Sequence, residues 1–182
     1  MQTFTEPREF VDNPRYDADR AEFLAELDLG VIDGPIVGIV GGFSRVPHCF
    51  TLQSCYGHFV TSHGEDPRNL DALPPEDCGT VRYRIAYIAF CIENSAAGRA
   101  LRGALERIPA VAPDHIQFCT CDWWWVRYPN TYALQVEPYR YRFLDEARLE
   151  YDEALRVQEC RALFFARLEE VLREQLLESP PA

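Results

Sequence analysis

No lysine occurs anywhere in the 182 residues; all 18 basic side chains are arginine. That absence excludes Schiff-base chemistry, pyridoxal-phosphate attachment, lysine bases and phosphate-loop lysines. There is no G-x-G-x-x-G after a strand and no repeated C-x-x-C pair, so neither a dinucleotide fingerprint nor a strong zinc motif is present. No apolar run approaches the roughly 20 residues of a membrane span. The N-terminus, Met1-Gln2-Thr3-Phe4-Thr5-Glu6, lacks the basic-then-apolar layout of a signal segment. Internal repeats and low-complexity tracts are also missing. Together these point to a soluble, cytoplasmic protein with no membrane partner.

What is present can build a large core: 47% of the residues are hydrophobic and 13% aromatic. The length fits one domain over residues 1–182. Seven cysteines are an odd number without the spacing of a secreted disulfide scaffold, so reduced thiols are expected. The net charge of −11 disfavours a protein that grips RNA or DNA through the backbone, although a local arginine patch remains compatible with it.

The richest stretch is Phe50 to Val60, where Gln53, Ser54, Cys55, Tyr56, Gly57 and His58 sit between two β-prone flanks, Phe50-Thr51-Leu52 and Phe59-Val60-Thr61. The flanks read as a hairpin with the polar residues at its turn. Gly57 suits a positive φ or a close backbone approach, and Cys55 and His58 bracket it. As a thiol enzyme, Cys55 is the nucleophile, His58 its proton partner, and Ser54 and Gly57 donors near the reacting group. The plain alternative is a small buried thiol and a hydrogen-bonded turn histidine.

The rest of the chain frames this stretch. Residues 1–16 read as an irregular arm. Asp17 to Leu29 reads as a helix capped by Asp17 or Asp19, and a second helix or a strand runs from Ile36 to Phe43. Residues 62–80, with Pro67, Pro74 and Pro75, form a long loop suited to a flap. Val81 to Ile92 is apolar on both faces, as a central strand should be. A helix capped by Asn94 or Ser95 follows, and Pro109 stops it. Asp114 to Trp125 and Thr131 to Val136 read as a strand hairpin, and about 142–178 as one long helix with an apolar stripe. The fold class expected is α+β: a mostly antiparallel sheet flanked by helices, with a long C-terminal helix able to pack on the sheet or pair homo-oligomers.

The order of these elements, with Ser54-Cys55-Tyr56-Gly57-His58 at the end of a strand, resembles the wybutosine-synthesis methyltransferase family. Those S-adenosylmethionine-dependent enzymes methylate a tricyclic guanosine derivative in tRNA, and carry a Thr/Ser-Ser-Cys-Ser-Gly-Arg motif in this place. Ser54, Cys55 and Gly57 match it; Tyr56 replaces the second serine and His58 the arginine. The resemblance implies S-adenosylmethionine as cofactor and a small-molecule or nucleotide substrate. Asp122 with Trp123 and Trp124, or Glu137, then offers a carboxylate and aromatic walls to the cofactor, with Gly57 approaching it closely. Arg82, Arg84 and Gln53 would hold the substrate.

Two further readings stand beside it. Zinc is an alternative cofactor, because His48, Cys49, Cys55, His58, His63, Cys119 and Cys121 supply soft ligands. A non-catalytic binding or assembly protein would use the Trp-rich hairpin as its contact.

Overall fold

The computed structural model describes residues 4–61, 66, 68–142 and 144–178. His63, part of the 62–80 loop, and the Ser179-Pro180-Pro181 end lie outside the described residues. In chain order the elements are β1 (Phe4–Thr5), α1 (Tyr16–Glu26), α2 (Val37–Phe43), β2 (Cys49–Cys55), β3 (His58–Val60), β4 (Val81–Arg84), β5 (Ala86–Ile92), α3 (Ala96–Leu105), β6 (Ile116–Cys121), the single turn α4 (Asp122–Trp125), β7 (Thr131–Val136), β8 (Glu146–Leu149) and α5 (Tyr151–Glu178). The class is α+β with antiparallel sheets and a long C-terminal helix, as expected. No described helix is long and apolar enough to cross a membrane.

Among the described residues two sheets form, not one. A five-stranded sheet runs β1-β6-β7-β5-β2, and a three-stranded sheet runs β3-β4-β8. The expected Phe50–Thr61 hairpin does not exist. β2 pairs with β5, Cys55 opposite Tyr87, while β3 pairs with β4, His58 opposite Arg84. The two segments therefore run side by side as a long antiparallel ribbon that bends once. The bend leaves Tyr56-Gly57 on one strand facing Ile85-Ala86 on the other. Val81 to Ile92, which reads as one strand, is split there for the same reason.

Sequence periodicity does not register such a bend, because the apolar residues continue through it. Its causes are local. Gly57 has φ +89°, and a Cβ on it would lie 2.8 Å from the Ala86 Cβ. The Tyr83 hydroxyl accepts from the Ala86 N–H and donates to the Val136 carbonyl, both at 2.9 Å, so it pins the bend to β7.

The helices cover the large sheet on both faces. Ile88, Phe90 and Ile92 pack with Phe43, Leu101, Leu105, Phe164 and Leu168 in the main core. On the other face Phe50 and Cys91 pack with Tyr16 and Tyr128, and Phe23 and Trp124 close over them. Burial on both sides explains the near-continuous apolar run of β5. Burying each such side chain contributes about 1.5–3 kcal/mol.

Three boundaries differ from expectation. α1 begins at Tyr16 behind Arg15, and no side chain caps it; Asp19 is buried and ion-paired to Arg15 at 3.2 Å. The strand ending in tryptophans stops at Cys121, and Asp122–Trp125 turn helical. The last helix starts at Tyr151 rather than near Arg142, because Glu146-Ala147-Arg148-Leu149 alternate exposed and buried and complete the small sheet against β4. The α3 cap is Ser95, whose Oγ accepts from the Gly98 N–H at 3.1 Å.

Candidate functional site

The bend in the ribbon opens a cleft of about 420 Å³ lined by Gln53, Arg84, Ile85, Tyr87, Trp123, Leu144 and Asp145. Each wall has a local origin. Gln53 and Cys55 share one face of β2 by strand alternation, and Tyr87 stands opposite Cys55 on the neighbouring strand. Arg84 is the last residue of β4, exposed where the ribbon bends. Asp145 precedes β8, and its carbonyl accepts from the Ile85 N–H at 3.2 Å, which ties two walls together. Trp123 is carried in from the far end of the sheet by α4, whose first residue, Asp122, pairs with Arg8 at 2.7 Å.

The cleft thus places one guanidinium, one carboxylate and one amide around two aromatic rings. It is of the size and character of a small-ligand site: apolar walls with a few polar groups at fixed positions. Three of the residues singled out by sequence, Gln53, Arg84 and Trp123, meet here. Tyr87, Leu144 and Asp145 were missed. Tyr87 reads as one more apolar strand residue, and Asp145 falls inside what reads as the start of a long helix.

Other expected contributors stand elsewhere. Trp124 packs edge-on to Phe23, 6.2 Å between centroids, and tilts over Tyr128 at 5.7 Å, so it lies half-buried against the Phe50–Cys91 cluster and does not line the cleft. Asp122 serves the Arg8 pair and does not line the cleft. Arg82 pairs with Glu146 at 3.6 Å and borders a different groove with Tyr141 and Arg148. Gly57 lies against Ala86 and does not line the cleft. Glu137 is fully buried, and Gln135 Nε2 donates to its Oε1; burial pushes its carboxyl well above the usual range. Ser54 alternates to the face away from Cys55.

Beside the cleft, Cys55, His58 and Asp33 converge, with one donor atom from each lying within 4.8 Å of the others. His58 Nε2 is 3.3 Å from Asp33 Oδ2, and its Nδ1 is 3.2 Å from the Asn69 carbonyl in the long loop. The Tyr56 N–H donates to Asp33 Oδ2 at 2.7 Å, and the Gly57 N–H to Cys55 Sγ at 3.4 Å. Asp33 has no motif around it; next to Gly34 and Pro35 it reads only as a turn.

This arrangement does not activate Cys55 as a nucleophile. Burial pushes the thiol up to about 11; the Asp33 carboxylate adds to the shift, and the Gly57 N–H and Arg84 oppose it. The imidazole nitrogen that a thiol–imidazole pair would use faces Asp33. Of the other expected metal ligands, those among the described residues lie apart from this cluster. His48 Nε2 contacts Gln175 Oε1 at 2.8 Å, the Cys49 thiol donates to the Phe43 carbonyl and the Cys119 thiol to the Ala133 carbonyl, both at 3.6 Å, and Cys121 is buried beside Cys119.

No model of a known protein family matches this chain, and no curated protein sequence matches it.

Proposed function

We propose that this protein binds a small nucleoside-type ligand in the cleft between Arg84 and Trp123, with S-adenosylmethionine the first candidate and methyl transfer the reaction class. What supports the reading is the meeting of Arg84, Asp145 and Gln53 with the Tyr87 and Trp123 rings around one cavity of about 420 Å³. An exposed guanidinium suits a carboxylate or phosphate. A carboxylate across the cavity suits an ammonium group or a ribose diol, and an aromatic ring suits a base. S-adenosylmethionine carries all of these: a zwitterionic amino acid, a ribose and an adenine. The resemblance of Ser54 to Gly57 to the tRNA-methylating enzymes favours the same cofactor.

The test is calorimetric titration of the full chain with S-adenosylmethionine, and with adenosine as a shorter probe. The expected result is binding near micromolar affinity, about −8 kcal/mol, weakened about tenfold by Arg84→Ala and by Asp145→Asn. No heat from either compound at high protein concentration would remove the nucleoside assignment.

A further inference from the structure

We propose that Asp33, Cys55 and His58 form a mononuclear site for a zinc-class divalent cation, with an open fourth position on the Asp33 side. The proposal is independent of what the neighbouring cleft binds.

Distance carries the first argument. Two nitrogen or oxygen ligands on a tetrahedral zinc, each at about 2.0–2.1 Å, lie about 3.3–3.4 Å apart. His58 Nε2 and Asp33 Oδ2 are 3.3 Å apart. A charge-assisted N–H to carboxylate bond is shorter, about 2.7–2.9 Å. The pair is therefore spaced as an edge of a coordination tetrahedron rather than as a tight ion pair. A sulfur ligand at about 2.3 Å would sit about 3.6 Å from the other two. All three donor atoms already lie within 4.8 Å of one another, so Cys55 Sγ needs to close by no more than about 1.2 Å.

The surroundings carry the second argument. His58 is held by the contact of Nδ1 with the Asn69 carbonyl, the outer-shell partner that fixes a metal-binding imidazole with its Nε2 lone pair facing the ion. Asp33 is held by the Tyr56 N–H. An acceptor faces each ring nitrogen, the Asn69 carbonyl at Nδ1 and Asp33 Oδ2 at Nε2, and a cation at Nε2 would lie between the ring and the carboxylate. The charges also balance, because a carboxylate, a thiolate and a neutral imidazole around a dication sum to zero. That suits a site whose histidine and cysteine are 3% and 5% exposed. The Asp33 side chain is 24% exposed, so solvent or a ligand reaches the ion from its side. Binding is an exchange of one proton: the Cys55 S–H bond breaks, the proton goes to solvent, and the S–metal bond forms.

The mixed sulfur, nitrogen and oxygen set selects zinc over magnesium or calcium, and cobalt(II) reports the same site by colour. The test is anaerobic titration of the reduced, chelator-treated full chain with Co²⁺. One equivalent should produce a thiolate-to-cobalt charge-transfer band and the intense visible absorption of a tetrahedral centre, and Zn²⁺ should displace it. Asp33→Asn should weaken binding by at least about tenfold. Cys55→Ser should remove the charge-transfer band, and Cys119→Ala should leave it unchanged. Asp33→Asn keeps an acceptor for the Tyr56 N–H, and so serves as the deciding variant if Cys55→Ser fails to fold. Absence of the band in the wild-type chain, or a band of unchanged affinity in Asp33→Asn, overturns the proposal.

Discussion

Arg161, in the middle of the C-terminal helix, donates from Nη1 to the Gly57 carbonyl at 2.6 Å. Its guanidinium also lies 4.1 Å from the centroid of the Tyr56 ring and 4.9 Å from that of Phe59. The side chain is 4% exposed, and among the described residues its charge is met by π faces and a carbonyl rather than by a carboxylate. It fixes α5 to the Tyr56-Gly57 turn, where the chain passes from β2 in one sheet to β3 in the other. Burial lowers its pKa, while Tyr56, Tyr83 and Cys55 raise it.

Replacing Arg161 by leucine leaves the Gly57 carbonyl without its donor. Urea unfolding should show a loss of about 2–4 kcal/mol, from the orphaned acceptor and the lost packing. A change below about 0.5 kcal/mol would mean that the contact does not hold the turn.

Gly57→Ala meets two obstacles, the positive φ and the Ala86 Cβ at 2.8 Å. A left-handed non-glycine residue costs about 1–3 kcal/mol before any clash. The melting temperature should fall accordingly. Gly79→Ala is the control: it has φ +73° but nothing within 4 Å of its Cβ, so it should cost less.

Cys55 should alkylate slowly. With the thiol pushed up to about 11, almost all of it is protonated at pH 8, and the thiolate is the reacting form. In the metal-free protein, mass spectrometry after iodoacetamide treatment should find Cys55 modified more slowly than a model-peptide thiol. Faster modification would revive the nucleophile reading.

Glu137 makes stability depend on pH. Its folded-state pKa is raised, chiefly by burial and despite the Gln135 hydrogen bond. Between the ordinary carboxylate value and the raised one, the folded chain holds a proton that the unfolded chain has released. Stability from this group is therefore complete below the ordinary value and is lost as pH rises toward the folded one. Glu137→Gln removes that loss while keeping an acceptor for Gln135. The variant should be more stable than wild type at pH 7, and the gap should close by pH 4. Equal pH profiles would contradict the burial argument.

Much of the fold is legible in the sequence because periodicity reports burial. The apolar run of β5, the Ser95 cap and the stripe of α5 each have a local cause. The bend at Gly57 and Ile85 is not legible, since the residues on either side remain apolar and β-prone. Nor is β8, four residues whose strand state depends on pairing with β4, more than 60 positions away. The site divides in the same way. Cys55 and His58 stand out because an apolar strand does not need them. Asp33 reaches them, and Asp145 reaches the Arg84–Tyr87 cleft, only through tertiary contacts, and acidic residues in turns are too common to signal anything alone. The three tryptophans illustrate the limit most clearly. Alternation puts Trp123 and Trp125 together, whereas the helical turn of α4 sends Trp123 to the cleft, Trp124 against Phe23 and Trp125 beside Tyr132.

The most direct test of the cleft is a nuclear magnetic resonance titration of the ¹⁵N-labelled chain with S-adenosylmethionine. The account predicts saturable shifts of the Trp123 indole N–H and of the Gln53, Arg84, Tyr87 and Asp145 amides, with the Trp124 and Trp125 indoles little changed. Shifts confined to residues away from the bend, or none at millimolar ligand, would contradict it.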